Sequence, residues 1–347
     1  MAHMTKKPSI HSLFSIVAIS ASLFTLPIAT GANAQALTDP VMVATTTEVH
    51  SVAAGAPAAA IAQRLSPLQN AFSLPNSPTR GQAPTGIAGG DGLAGWAGWG
   101  TLSFGRSENT FVGSLSDGHN QTLSLGLDRP ISDKVTIGAA LSIYHDSTDT
   151  TFNGGNTGTT SVSLSPYAKF TLNDWLSADV SFGYSAVNTD QMRLVFGAPV
   201  TASYDASSYF VSANLDASKW YDTWLISGRF GITSSQSRRD AFVESNGTAN
   251  AASTTHLTQA SLSGTVGYWT EPFLLYLTGE YINDLHNDAP VVPGASTDSD
   301  EFRLTLGTHI YGQGKWKDVS GGFGITQSFG RTDKESTSAV MSLRFEF

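Results

Sequence analysis

The sequence of 347 residues contains no cysteine, which excludes disulfide bonds and thiolate metal sites and is compatible with an oxidising compartment such as the periplasm. Charged residues make up only 14% of the chain, well below the ~25% of soluble domains. Acidic residues outnumber basic ones by 28 to 19, so the net charge of -9 offers no basic face for nucleic acid. Beyond residue 34 no run approaches the ~20 continuous apolar residues of a membrane-spanning helix. Any membrane crossing there would have to use strands.

Residues 1–34 have the pattern of a secretory signal peptide. Lys6 and Lys7 form a basic start, and an apolar stretch interrupted by serine and proline follows at 13–28. Small residues then lead to Ala34, which we predict to be the last residue before cleavage. A membrane-spanning anchor is disfavoured because the apolar stretch is short and interrupted. The sequence therefore predicts export by way of a cleaved signal peptide.

Residues 35–91 are rich in alanine and proline and alternate little between apolar and polar positions. The best helix candidate is 52–72, where apolar residues recur at helical spacing and two prolines limit the helix to short pieces. Residues 73–91 have the composition of a flexible linker. Two interpretations stay open for the whole segment: a disordered periplasmic tail, or a slender helix inside a pore, for which small side chains are suitable.

From residue 92 to the end, segments with the side-chain period of a strand follow one another. In the last of them Phe347, Phe345, Leu343 and Met341 share one face, while the other face is mostly polar. We predict about twelve strands, at 94–105, 120–129, 134–145, 159–172, 175–187, 206–219, 223–236, 256–269, 273–283, 301–312, 318–329 and 336–347.

The predicted connections alternate between short turns and long polar loops, the longest being 188–205 and 237–255. Outer-membrane barrels have short periplasmic turns, long external loops and aromatic girdles at the two interfaces. Tryptophans near the predicted strand ends suit such girdles; they are Trp96, Trp99, Trp175, Trp220, Trp224, Trp269 and Trp316. The sequence therefore predicts an all-β protein, a transmembrane antiparallel β-barrel of about 12 strands over 92–347, preceded by the Ala/Pro-rich segment 35–91.

Strand parity assigns the charged side chains of the barrel to its lumen. An arginine or lysine that faced lipid at mid-membrane would cost ~2–4 kcal/mol, so the inward assignment has a physical cause. Such groups can brace the wall, hold the preceding segment or set the ion preference of an open pore. The predicted lumen-facing charges are Lys169, Asp179, Arg229, Glu280, Glu301, Arg303, Arg344 and Glu346.

The best candidate for catalysis is the cluster His145, Asp146 and Ser147 at the end of the third predicted strand. Neighbouring residues of a strand point to opposite faces, so these side chains are poorly placed to cooperate. The histidines are scattered over different connections, without the spacing of a metal site. We therefore expect no catalytic residue, no metal and no cofactor, and predict that the protein is not an enzyme.

Several segments resemble the C-terminal β-domain of classical autotransporters, over about residues 94–347. They include the Trp-rich first strand 95–101, the run 123–130 that leads into 135–144, and the ending 343–347. The resemblance implies a twelve-stranded translocator in the outer membrane of a Gram-negative bacterium, with a preceding helix that threads the pore. The C-terminal face of Phe347, Phe345, Leu343 and Met341 also resembles the assembly signal of outer-membrane barrels.

The same resemblance implies partners. They are the outer-membrane barrel assembly machinery, periplasmic chaperones, outer-membrane lipid and lipopolysaccharide; the barrel itself is expected to be monomeric. In this family the domain carries an N-terminal passenger to the cell surface, and since 35–91 holds no repeat, we expect a very short or missing passenger. The leading hypothesis is a translocator that moves or displays a short N-terminal segment. The alternatives are a passenger-free channel or structural surface protein, and an outer-membrane hydrolase.

Overall fold

The computed structural model describes residues 55–69, 95–289, 294–296 and 298–347. The predicted signal peptide with its cleavage site at Ala34, and most of the segment 35–91, lie outside the described residues. Within that segment residues 55–65 are α-helical, here called α1, and a turn at 66–69 follows. Pro67 lies just beyond the helical residues, where proline and its predecessor disfavour further α-helix. In the described part of the chain, no helix has the length and apolarity needed to span a bilayer.

The rest of the described chain is built from strands joined by turns and loops. In chain order they are β1 (Ala97–Asn109), β2 (Ser116–Ser132), β3 (Val135–Thr150), β4 (Gly155–Thr171), β5 (Leu176–Val195), β6 (Ala198–Tyr221), β7 (Trp224–Arg239), β8 (Phe242–Val243), β9 (Ala249–Asn250), β10 (Ser253–Thr270), β11 (Phe273–Asn287), β12 (Asp300–Tyr311), β13 (Val319–Phe329) and β14 (Lys334–Glu346).

Twelve of these strands, β1–β7 and β10–β14, form a closed antiparallel barrel, while β8 and β9 pair with each other in a small hairpin outside it. The barrel closes where β1 pairs with β14, from Ala97 opposite Glu346 to Asn109 opposite Lys334. The predicted fold class, an all-β barrel of about 12 strands with a preceding helical segment, is confirmed. The chain enters β1 and leaves β14 at the end that also carries the short turns, which is the periplasmic end in barrels of this kind.

The two faces of each strand meet different surroundings, as β3 illustrates. Its outward side chains Ile137, Leu141 and Ile143 are exposed, whereas the inward Ser142 and Tyr144 are almost fully buried. Exposed rows of leucine, isoleucine and phenylalanine would be a liability in water, but they match the hydrocarbon of a bilayer. The apolar face therefore meets lipid and the polar face lines the lumen.

The predicted long loop 188–205 is wrong. Here β5 and β6 continue as a paired ribbon up to a two-residue turn at Phe196 and Gly197, whose φ angles are 52° and 82°. Two residues with positive φ are the mark of the tight turn that matches the twist of a hairpin. The prediction failed because strands that rise above the membrane face water on both sides and lose the apolar alternation that marks a spanning strand.

The assignment of all tryptophans to interfacial girdles is also wrong in part. Trp175, Trp224 and Trp316 are exposed, but Trp220 and Trp269 lie on the inward parity of their strands and are buried. Together with Leu225 and Leu274 these two form an apolar cluster inside the periplasmic end of the barrel; Trp99 is likewise buried in the lumen. The position of a tryptophan near a strand end therefore does not determine whether it faces lipid or lumen. Its parity along the strand does.

Candidate functional site: the helix-filled lumen

The site that the fold creates is the barrel lumen with α1 inside it. Ile61 and Leu65, spaced four residues apart on one helix face, are each 1% exposed and pack in one apolar cluster with Trp99, Tyr167 and Phe210 of the wall. These wall residues belong to β1, β4 and β6, so the apolar face of α1 lies against one side of the barrel. Small residues of α1, Ala58 and Ala60, join the same cluster and let the helix approach the wall closely.

Room for this packing comes from a glycine in the wall. The ring of Phe210 lies over Gly183 of the neighbouring β5, and a Cβ atom at Gly183 would be 2.1 Å from Phe210 Cε1. Phe210 is completely buried. Glycine is therefore required at position 183 for Phe210 to reach the position in which it contacts the helix.

A buried ion pair connects α1 to β2 at the periplasmic end of the barrel. Arg64 Nη2 lies 2.8 Å from Asp128 Oδ1 of β2, and the two side chains are 4% and 2% exposed. The other carboxylate oxygen of Asp128 accepts a hydrogen bond from the Tyr167 hydroxyl at 2.9 Å, and Trp99 Nε1 donates to that hydroxyl at 2.7 Å. The pair is thus held in a hydrogen-bonded chain that starts on β1 and ends on the helix.

Cations of the wall satisfy carbonyl groups at the C-terminal end of α1. Lys169 Nζ donates to Leu65 O at 2.8 Å, and Arg229 Nη1 donates to Ala62 O at 3.3 Å. The last carbonyls of a helix lack partners within the helix and carry its partial negative charge, so cations are favoured there. The Tyr311 hydroxyl donates to Leu68 O, and Gln69 Nε2 donates to Ser342 Oγ at 3.0 Å. This end of the helical segment is therefore bonded to four strands around the wall.

Arg229 is itself fixed by two carboxylates. Its Nη2 lies 2.9 Å from Asp179 and its Nη1 lies 2.9 Å from Asp216, both acids being 1% exposed. Asn214 donates a further hydrogen bond of 2.8 Å to Asp179. A guanidinium shared between two acids and a helix carbonyl can hold the wall and α1 together with little freedom.

The remaining predicted lumen charges pair with one another along the wall. Arg303 Nε is 2.6 Å from Glu301, and its Nη1 is 3.9 Å from Glu280. Arg344 and Glu346 of β14 pair with each other at 2.6 Å. Of the eight predicted lumen charges, the structure brings Lys169 and Arg229 into contact with the helix and Asp179 to Arg229, while the other five form pairs along the wall.

Sequence reasoning missed Arg64 and Asp128, which make the buried pair. Both carried a signal: Arg64 is the single charge within 52–72, and Asp128 has the parity of the inward Ser124 on β2. Tyr167 and Tyr311 were missed because an uncharged hydroxyl on a lumen position has no distinctive pattern.

The cluster considered for catalysis is not assembled. His145 Nδ1 lies 3.1 Å from Thr160 Oγ1 on the exposed side of β3, whereas Asp146 faces inward and accepts a hydrogen bond of 2.9 Å from Thr148. The two side chains are on opposite faces, as their adjacency requires. Among the described residues no group of three or more His, Cys, Asp or Glu could hold a metal ion.

Comparison with known proteins identifies the family. The family model described as the autotransporter beta-domain matches residues 96–309, more than half of the chain. The chain belongs to the autotransporter β-domain family. β-Domains of this family are outer-membrane proteins of Gram-negative bacteria, and their translocator domains are transporters rather than enzymes.

Solved structures of autotransporters share this fold at low sequence identity. The translocator domain of NalP from Neisseria meningitidis has a TM-score of 0.71 and 14% identity, covering 89% of this chain and 100% of that one. The β-domain of the Bordetella autotransporter BrkA has a TM-score of 0.60 and 15% identity, covering 73% and 100%. The transport unit of AIDA-I from Escherichia coli has a TM-score of 0.55 and 13% identity, covering 80% and 97%. Among curated proteins none matches this chain.

Proposed function

We propose that this autotransporter β-domain moves its own N-terminal segment through the lumen to the cell surface and keeps α1 behind as a plug. The observation that supports this proposal is the direction of the helix. Ala56 packs against Tyr144, which lies toward the external end of β3, while Arg64 and Leu65 contact residues at the periplasmic end. The chain that precedes α1 is therefore directed toward the outside.

The length of α1 fits these two levels. The eight residue steps from Ala56 to Arg64, at ~1.5 Å each, give a helix rise of ~12 Å. Asp128 pairs with Gly138, which is six residues from Tyr144 along β3, and six steps of a strand tilted by ~40° rise by ~15 Å. The two rises differ by only ~3 Å, which the long side chain of Arg64 can span, so the helix connects the level of Tyr144 to the level of Asp128.

The proposal includes the export of the chain to the periplasm and its assembly into the outer membrane. Residues 1–34 act as the signal peptide with cleavage after Ala34, and the C-terminal face ending in Phe347 is read by the outer-membrane barrel assembly machinery after delivery by periplasmic chaperones. The finished barrel is a monomer surrounded by outer-membrane lipid and lipopolysaccharide, since a closed barrel leaves no edge strand that needs a partner.

The experiment is surface labelling of a small epitope inserted near Asp39 in intact cells. Labelling from outside, without opening the outer membrane, is the expected result. An epitope that is labelled only after the outer membrane has been opened would place the N-terminal segment in the periplasm and would refute export. An epitope in the periplasmic turn between β6 and β7, at Asp222, is the control that must stay unlabelled in intact cells.

A further inference from the structure

The lipid-facing side of the barrel carries an apolar groove next to the seam between β1 and β14. Its volume is about 1130 Å³, and its lining comes from β14, β1, β2, β3 and β4. Gly98 and Gly100 of β1 line its floor, and bulky side chains such as Leu125, Leu127 and Phe345 rise on either side. The ring of Phe347 lies over Gly98, which is buried, so the accessible part of the floor is at Gly100. On the lipid face, β1 therefore forms a depression between β2 and β14, whose leucine and phenylalanine side chains stand higher.

The groove spans one leaflet of the membrane. Its lining runs from Trp96, which directly precedes β1 at the periplasmic end, to Leu102 of β1. Six residue steps on a strand tilted by ~40° rise by ~15 Å, which is half of the ~30 Å hydrocarbon core. The groove therefore has the length of one acyl chain in the periplasmic leaflet.

A cation lies at the headgroup end of the groove. The guanidinium of Arg129 lies over the Trp96 ring, 5.9 Å from its centroid. Arg129 is exposed on the outward parity of β2, and it forms no ion pair within the described part of the chain. A planar guanidinium without a carboxylate at the membrane interface is suited to bind a phosphate through two hydrogen bonds.

From this arrangement we propose that the groove binds one phospholipid of the periplasmic leaflet, with an acyl chain over Gly100 and its phosphate on Arg129. The proposal does not depend on export of the N-terminal segment. The proposed site is a single place on the barrel. It differs from the rest of the lipid-facing surface because glycine lies in its floor and a cation lies at its headgroup end.

The experiment is native mass spectrometry of the full chain, purified in detergent and incubated with phosphatidylethanolamine. Wild type is expected to retain one lipid. Gly100→Leu fills the groove, and because the nearest neighbour of a Cβ there is the flexible end of Leu125 at 3.1 Å, the barrel can accommodate the change. Arg129→Gln removes the phosphate ligand without touching the interior. Arg129→Gln is expected to bind the lipid about tenfold more weakly, the factor that corresponds to one charge-assisted hydrogen bond. Gly100→Leu is expected to lose the retained lipid, because its side chain occupies the place of the acyl chain.

Matched control variants exist elsewhere on the barrel. Gly264 of β10 shares the outward parity of exposed Leu262, and nothing lies within 4 Å of a Cβ built there, so Gly264→Leu makes the same substitution outside the groove. Lys219 lies 5.2 Å from the Tyr221 ring centroid at the same rim, and Lys219→Gln is the control for Arg129. Both controls are expected to retain the lipid as wild type does, and heat-modifiable gel migration verifies that every variant is folded.

Three results would overturn the proposal. The first is equal retention of phosphatidylethanolamine by wild type, Gly100→Leu and Arg129→Gln. The second is an equal loss in Gly264→Leu or Lys219→Gln, which would show general lipid contact only. The third is a different occupant, either lipopolysaccharide that remains on the barrel as purified or a second copy of the chain seen as a dimer.

Discussion

The ion pair between Arg64 and Asp128 gives the strongest test of how α1 is held. Asp128→Asn keeps the size of the side chain and removes its charge, so the guanidinium of Arg64, only 4% exposed, would stay buried without the carboxylate to which it is bonded. Breaking a buried pair by removing one partner costs ~3–5 kcal/mol. The β2–β3 pairing does not depend on this side chain, and the amide oxygen of asparagine can still accept the hydrogen bond of the Tyr167 hydroxyl, so the cost is borne mainly by the plugged state.

A cost of ~3 kcal/mol corresponds to a factor of ~10² in an equilibrium. The fraction of barrels whose lumen is open should therefore rise by about 10² or more in Asp128→Asn. Single-channel recording in planar bilayers measures that fraction as the frequency and duration of open events. The reasoning is refuted if Asp128→Asn folds, as gel migration shows, and opens no more often than wild type.

Two controls separate the buried pair from a general loss of charge. Asp117→Asn makes the same substitution in the exposed pair with Arg106, whose side chains are 54% and 38% exposed, and should leave the conductance unchanged. The double variant Arg64→Met with Asp128→Leu replaces both partners by apolar groups and should restore much of the closed state. A double variant as open as Asp128→Asn would mean that the charge of the pair is not what holds the helix.

Three further predictions follow from the fold. Deletion of 37–90 removes the plug and should raise the conductance by more than any point substitution; an unchanged conductance would contradict a plug. Gly183→Val should lower the yield of folded, heat-modifiable barrel, because even a Cβ would lie 2.1 Å from the Phe210 ring, whereas Gly264→Val on the open face should not. The pKa of Asp298 is lowered from 3.8, chiefly by its hydrogen bond with the Thr332 side chain and then by the Thr332 N–H. A lowered pKa stabilises the folded loops above pH ~4, so slow amide exchange of Thr332 should persist to that pH and disappear only below it.

The spanning strands could be predicted from the sequence because each has to alternate between lipid and lumen. Each of the twelve predicted segments overlaps one barrel strand. The alternation ends where the strands leave the bilayer, and for that reason the sequence predicts a loop at 188–205, where the structure has the ribbon that turns at Phe196. The small β8–β9 hairpin was missed for the same reason, since Phe242 and Val243 are too short a segment to show a period.

For the lumen, parity predicted which charges point inward but could not predict their partners. Arg229 contacts Asp179, which is 50 residues away in the sequence, and Ala62, which is 167 residues away. These contacts depend on the strand register and on the depth of α1 in the lumen. The choice between a periplasmic tail and a pore helix was open for the same reason. The structure decides it for residues 55–65, since the contacts of Arg64 and Leu65 with wall residues place them inside the barrel.

The direction of α1 is the central claim, and engineered disulfides test it most directly because the chain contains no cysteine. Ala56→Cys with Tyr144→Cys joins the start of the described helix to the external half of the wall, where these residues are in contact. Ala56→Cys with Ser342→Cys would join it to the periplasmic level at which Gln69 binds. The account predicts a crosslink, seen as a shifted gel band without reductant, in the first variant only. A crosslink in the second variant and none in the first would reverse the helix and contradict outward passage of the N-terminal segment.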